Sequence, residues 1–268
     1  MSYLTVKNLT RVFDLSDPLL VRLLSGTPRR ELTAVDNVSF SVEAGTTYAL
    51  VGESGSGKST IAKMAVGLLD PTSGSISIDG QPMTTDSGTE LRRRVQMVFQ
   101  SPYASLNPRW KTGDIIAEPL RAFGLVKDRM QQVDRVVDLL EKVGLSETDM
   151  NRYPHEFSGG QRQRISIARA LASEPQMIVC DEPTSALDVS VQAQVLNLLK
   201  KLQRELGLTY LFITHDLAVV STIANRVGVL KNGQLVEEGP TAKLFASPQT
   251  DYTKMLLDSV PSVESIRT

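Results

Sequence analysis

Gly52-Glu53-Ser54-Gly55-Ser56-Gly57-Lys58-Ser59-Thr60 follows a short apolar run, residues 46–51, and opens a helix-patterned stretch, residues 58–69, with Ile61, Ala65, Leu68 and Leu69 on one face. It fits the P-loop pattern GxxxxGK[ST] in the strand–turn–helix context that the pattern requires. Its glycines let backbone N–H groups turn inward around a phosphate, and the N-terminus of the helix adds attraction for the anion. Residues 52–60 are therefore expected to cradle a nucleotide, with Lys58 reaching the β- and γ-phosphates and Ser59 ligating Mg²⁺. A chance match in a chain of this size is roughly one in a hundred from ordinary residue frequencies. A dinucleotide fingerprint fits worse, because Thr60 stands where its last Gly or Ala belongs.

Two further stretches carry chemistry. Met177-Ile178-Val179-Cys180-Asp181-Glu182 is an apolar run ending in two acids. A buried strand would deliver Asp181 to its C-terminal edge, where open α/β sheets place ligands, to hold Mg²⁺ through the metal's waters. Glu182 beside it is placed to take a proton from an attacking water. Ser158-Gly159-Gly160-Gln161 opens the helical run 162–172 and exposes several N–H groups and a hydroxyl. By itself this turn is also an ordinary helix cap. Beside the P-loop it is a second phosphate-binding surface, and one nucleotide needs only one cradle, so it points to contact with another subunit's nucleotide.

Working outward, β-like runs are expected at 3–6, 35–42, 46–51, 75–79, 95–99, 177–180, 210–213 and 227–230, and a helix at 191–206 carries Val191, Val195, Leu198, Leu199, Leu202 and Leu206 at helical spacing. Residues 14–32, with Pro18, Gly26 and Pro28, are expected to form an inserted loop or short helix. Residues 104–172 hold helical stretches such as 133–143 and no convincing strand. Strands alternating with helices predict a mainly parallel sheet covered on both faces. The fold class expected is α/β: a P-loop NTPase with a mainly parallel sheet and an inserted all-helical subdomain.

The composition is that of an ordinary globular chain. Of 268 residues, 41% are hydrophobic and 22% charged, and 29 Lys+Arg against 30 Asp+Glu leave a formal net charge of -1. A protein that coats nucleic acid usually carries a basic bias, so no nucleic-acid partner is expected. The single Cys180 excludes an internal disulfide or a cysteine-built cluster, and its apolar setting predicts a buried structural thiol. No stretch approaches the roughly 20 apolar residues of a membrane span, and the N-terminus lacks a signal-peptide pattern, so any membrane role is expected to come through partners.

Phe157-Ser158-Gly159-Gly160-Gln161 resembles the LSGGQ signature of ATP-binding-cassette (ABC) proteins, with Phe in the Leu position. The family's other elements occur in its order: Gln100 after 95–99 matches the Q-loop, Ser185-Ala186-Leu187-Asp188 the D-loop, and His215 after 210–213 the switch histidine. Phe13 matches the aromatic that stacks on adenine. The resemblance runs from about residue 4 to 239. It implies a RecA-like core with an N-terminal antiparallel β subdomain, and an Mg²⁺-dependent ATPase that works as a head-to-tail dimer. Lys58 and Ser59 of one subunit and Ser158 with Gly159 of the other would hold one γ-phosphate. Glu182 would act as general base, His215 would contact the γ-phosphate or the water, and Gln100 would sense Mg²⁺ or water. Gly160, Gln161 and Asp188 would belong to the same composite site. His155 is read as structural.

Two features narrow the resemblance to the oligopeptide, dipeptide and nickel importers: Ser101-Pro102-Tyr103-Ala104-Ser105-Leu106-Asn107-Pro108-Arg109 after the Q-loop, and a tail with Ser247-Pro248, Tyr252-Thr253-Lys254-Met255-Leu256-Leu257 and Val260-Pro261. It implies a cassette at 1–247, with helices at about 104–172, and a tail at 248–268. The partners implied are two transmembrane permease subunits, a second and different ATPase subunit, and, through the permease, an extracytoplasmic solute-binding protein. The location implied is peripheral, on the cytoplasmic face of the cell's inner membrane. Family members usually continue beyond this tail, so a missing extension and a fused polypeptide stay open. Three alternatives are an importer ATPase for another solute such as nickel, a soluble cassette acting on ribosomes or DNA, and a P-loop small-molecule kinase, in which Ser158 and Gly159 would have no role.

Overall fold

The apolar runs pair edge to edge in the computed structural model of the chain, which describes residues 2–16, 28 and 30–259. The strands are β1 (Ser2–Asp14), β2 (Glu31–Glu43), β3 (Thr47–Val51), β4 (Ser73–Ile78), β5 (Gln81–Pro82), β6 (Val95–Val98), β7 (Met177–Asp181), β8 (Thr209–Thr214), β9 (Arg226–Lys231) and β10 (Gln234–Pro240). The larger sheet has the order β10-β9-β3-β8-β7-β6, with every pairing parallel except β10 on β9. All residues of β3, β7 and β8 are buried, which is why these strands read as unbroken apolar runs rather than alternating ones.

The register of that sheet places the site. Val51 lies opposite Thr214, Ile213 opposite Asp181, and Cys180 opposite Val98. Four adjacent strands therefore end at one level, and the residues that follow them emerge at a single edge.

The smaller sheet, β2-β1-β4-β5, is antiparallel. Between the two sheets lies α1 (Lys58–Ala65), whose Ile61, Met64 and Ala65 share a core with Leu4, Val6 and Ile76 on one side and Val179 and Leu211 on the other. β1 is longer than the expected 3–6 and β2 longer than 35–42. Register shifts break the alternation of β1, so period two fails to signal its second half. Asp14, Glu31 and Leu32 are strand; the remainder of the expected loop or helix at 14–32 lies largely outside the described residues.

The helix α1 stops before the expected residue 69, because Gly67 takes φ +68° and turns the chain. Leu68, expected on the buried face, is 54% exposed as a result. A short charged helix, α2 (Thr89–Arg94), buries only Leu91. Between β6 and β7 come α3 (Pro102–Ser105), α4 (Thr112–Ala122), α5 (Arg129–Lys142), two 3₁₀ turns and α6 (Gly159–Leu171), with no strand among the described residues there. Their apolar faces, including Ile116, Leu120, Leu140 and Ile165, pack with Leu199 and Phe212 into a second core. Leu199 belongs to α7 (Val189–Leu206), which buries Val195, Leu196, Leu199 and Leu202. Leu206, expected on that face, is largely exposed. The described residues then run through α8 (Leu217–Ile223), α9 (Thr241–Ala246) and α10 (Asp251–Asp258). Cys180 is fully buried and burial pushes its thiol up, which leaves it inert.

Candidate functional site

The loop after β3 is shaped by one forced glycine. Gly57 takes φ +104°, and a Cβ there would sit 2.3 Å from the Ala34 carbonyl oxygen. A residue with a side chain would push the loop off β2. The carbonyl of Gly57 then accepts from the Ile61 N–H at 3.1 Å, and α1 begins. Lys58 folds back over the loop, donating from Nζ to the carbonyls of Gly52 at 2.8 Å and Glu53 at 2.7 Å. Burial pulls its ammonium below the usual lysine range, against the pull of Glu182, Asp181 and Glu53. A cation that dry favours a close anion.

At the neighbouring strand ends, the Ser59 hydroxyl donates to Asp181 Oδ1 at 2.9 Å. Burial raises the Asp181 carboxyl; the Ser59 bond opposes that and the Glu182 charge adds to it. Hydroxyl and carboxylate together form an oxygen donor pair suited to a hard divalent cation. Glu182 turns out of the strand at φ +46°, a left-handed conformation costing about 1 kcal/mol, held by its N–H on the Ile213 carbonyl at 2.9 Å. Its carboxylate accepts from Gln100 Nε2 at 3.0 Å and lies 3.3 Å from His215 Nδ1. Strand β6 brings Gln100, β7 brings Glu182 and β8 brings His215, so the three meet across three adjacent strands.

These groups line one cavity of about 680 Å³, formed by Gly52, Glu53, Ser54, Gly55, Gly57, Lys58, Ser59, Thr60, Gln100, Glu182 and His215 at its polar end. Ser56 is buried behind the loop, and Asp181 stands behind Ser59. Phe13, Leu32, Ala34 and Leu256 supply apolar lining. The Arg11 guanidinium covers the Phe13 ring at 4.7 Å. Leu32, Ala34 and Leu256 are lining residues that sequence reasoning missed, and the most distant in sequence is Leu256. It stands on a terminal helix some two hundred residues from the P-loop, and no local pattern marks it.

The glycine turn at 158–161 stands apart. Ser158 caps α6: its Oγ accepts from the Gln161 N–H at 3.3 Å, and Gln161 Oε1 accepts from the Ser158 N–H at 3.0 Å, a reciprocal capping box. Gly160 is buried, and a Cβ there would meet Val191 Cγ1 at 2.3 Å. Asp188 caps α7, accepting from the Val191 N–H at 2.9 Å and the Ser190 hydroxyl at 2.7 Å, and these bonds hold its carboxyl below the usual range. Ser158, Gly159, Gly160, Gln161 and Asp188 do not line the cavity that holds the P-loop.

Known proteins resemble the chain in both sequence and fold. The profile of the ABC transporter family matches residues 35–185. The oligopeptide transport ATP-binding protein OppF of Bacillus subtilis (strain 168) is 52% identical over 239 residues, 88% of this chain and 78% of that protein. The glutathione import ATP-binding protein GsiA of Escherichia coli O157:H7 is 51% identical over 267 residues; the match takes in 98% of this chain and 42% of that protein. Among solved structures, a dimeric ATP-binding cassette in a post-hydrolysis state, bound to ADP and Pi, superposes with a TM-score of 0.76 at 30% identity, over 89% of this chain and 98% of that one. A P-loop backed by an acidic strand end, a separate glycine turn and matches of this extent lead to one family: the chain belongs to the ABC transporters and is one of their ATPase cassettes.

Proposed function

We propose that this chain is the motor subunit of a solute importer of the peptide class, and that two cassettes close on each ATP. The observation that carries the reading is the separation of the two phosphate-binding surfaces. The P-loop, Gln100, Glu182 and His215 line one cavity, while Ser158 and Gly159 lie outside it. In the reaction, water oxygen attacks the γ-phosphorus, the bond to the β–γ bridging oxygen breaks, and ADP and phosphate leave. Lys58 and loop N–H groups within 52–60, that of Glu53 excepted, bind the phosphates, and Phe13 stacks on the base. Glu182 takes the water's proton, while Gln100 and His215 hold its carboxylate in place. Ser158 and Gly159 of a second cassette close over the γ-phosphate, with Gln161 and Asp188 fixing the two turns. Gly160 sits behind the turn and lets it lie against Val191.

Mg²⁺ fits the site. Among the described residues no group of three or more His, Cys, Asp or Glu could hold a metal alone, and Mg²⁺ commonly takes few protein ligands, completing its shell with water and phosphate oxygens. Ser59 and Asp181 would hold it, with Gln100 at hand, and the ion would neutralise charge on the phosphates.

Support for the importer class comes from the names and extent of the two relatives. No described helix is long and apolar enough to cross a membrane, so the proposed setting is peripheral, on the cytoplasmic face, with two permease subunits. A second, different cassette and a solute-binding protein complete the proposed assembly. Tyr103 is 64% exposed under the Arg162 guanidinium at 4.0 Å, and the segment 103–109 is the proposed contact with the permease.

The test is Glu182→Gln. Cassettes carrying it should pair on adding ATP, by light scattering of the chain alone and with its co-purified partner cassette. Turnover should fall by about a hundredfold or more, the scale for losing a general base. Near-normal turnover removes Glu182 from that role, and ATP-saturated chains that stay single in both mixtures overturn the two-cassette reading.

A further inference from the structure

The P-loop is gripped from the far end of the chain. The Gly233 N–H, in the turn between β9 and β10, donates to the Ser56 carbonyl at 3.0 Å. The Glu53 N–H donates to the Tyr252 hydroxyl at 3.3 Å. Tyr252 belongs to α10 and is 8% exposed, with the Lys231 ammonium over its ring at 4.6 Å. The helix itself is firmly seated. Leu257 and Tyr252 join Val51, Val229, Leu244 and Phe245 in a third core. Thr250 caps the helix, and Glu237 of β10 accepts from the N–H groups of Gln249 and Thr250. Leu256, one residue from the buried Leu257, is left half-buried in the lining of the nucleotide cavity, which it shares with Phe13, Leu32 and Ala34.

Apolar side chains offer nothing to a triphosphate. The part of a nucleotide that gains from them is its base, a flat surface whose burial against a leucine is worth a severalfold change in affinity. We propose that α10 is a working part of the nucleotide site, in which Leu256 joins Phe13 in binding the base and Tyr252 positions the P-loop through the Glu53 amide. The proposal rests on the P-loop reading above and deepens it. Cassette and tail then form one site, and base recognition depends on the residues that close the chain's fold.

The test compares two ligands on the full chain by calorimetric titration: ATP, and inorganic tripolyphosphate, which lacks a base. Leu256→Asp should raise the Kd for ATP about tenfold and leave that for tripolyphosphate within twofold, and Leu256→Ala should move it the same way by about threefold. Tyr252→Phe keeps the ring beneath Lys231 and removes only the hydroxyl. It should raise both Kd values by one common factor of about two to five, with the melting temperature unchanged. Equal effects of the Leu256 variants on both ligands, or none on ATP, overturn the base contact. A Tyr252→Phe chain that binds both ligands as the parent does, or that loses affinity only as its melting temperature falls, overturns the positioning role. Lys58→Ala keeps the two levels distinct: it should weaken both ligands. If it does so while the Leu256 variants fail to separate ATP from tripolyphosphate, only the α10 proposal falls; if it weakens neither, the P-loop reading falls first.

Discussion

The loop before α1 and the turn before α6 offer the same backbone chemistry, glycines opening a helix with free N–H groups, yet the structure finishes only one of them. The loop at 52–60 has a buried lysine, a hydroxyl–carboxylate pair and a cavity around it. The turn at 158–161 has its own cap satisfied, no lysine, and an exposed Ser158. Its buried glycine faces α7 instead of a ligand. A helix N-terminus alone is a weak anion site; a dry cation and a closed wall make it a strong one. The contrast supports the proposal that the second turn is completed from outside the chain.

The sharpest way to break this contrast is to damage each side separately. Lys58→Ala removes the proposed charged contact to phosphate, worth about 3 kcal/mol, so ATP affinity of the single chain should fall about a hundredfold, read by titration. Gly159→Asp sets a carboxylate where the neighbour's γ-phosphate is expected. Single-chain ATP affinity should stay within about twofold, while turnover of the assembled pair drops about a hundredfold. If Gly159→Asp weakens single-chain binding as Lys58→Ala does, both surfaces serve one nucleotide and the comparison fails.

A smaller effect sharpens the role of the buried glycine. Gly160→Ala forces a methyl against Val191, and such overpacking costs about 1–3 kcal/mol, read as a lower denaturation midpoint. Because the clash is with one side chain, Val191→Ala on top of it should return most of that loss, a coupling that a double-variant cycle measures directly. Additive losses would mean that Gly160 is needed for its backbone and not for the space it leaves.

How far these regions were legible in the sequence follows from how local their signals are. The P-loop, the strand ending at Asp181 and the capped turn at Ser158 each declare themselves within a few residues, because turn chemistry and apolar runs are local. The reach of β1 to Asp14 is hidden by its register shifts. Strand β10 is an edge strand with partly exposed side chains, so no apolar alternation marks it. Helix α2 is Thr-Glu-Leu-Arg-Arg-Arg, with a single buried residue to announce it. The Leu206 and Leu68 side chains satisfy the helical period, but Leu206 is the last residue of α7 and Leu68 lies past the end of α1, beyond the Gly67 turn. The meeting of Tyr252 with Glu53, and of Gln100, Glu182 and His215, is set by sheet order, which periodicity does not encode.

The least of the expected effects concerns how the finished side is held together. Glu237 ties β10 to the start of α10. Burial pushes its carboxyl up, but the bonds from Thr253, Gln249 and Thr250 together outweigh that and leave it below the ordinary glutamate value. Since the folded value is the lower one, its contribution is complete above the unfolded value of about 4.3 and is lost as the pH falls through the folded value. Glu237→Gln, which keeps an acceptor but loses the charge, should cost about 1 kcal/mol at neutral pH. The gap between the two proteins should hold steady from pH 7 down to about 5 and narrow below about 4.3, when denaturation is followed across that range. A gap that persists undiminished in acid would assign the tie to shape rather than charge. The seat of α10 beside the P-loop would then rest on Tyr252 and Leu257 in the core beneath it.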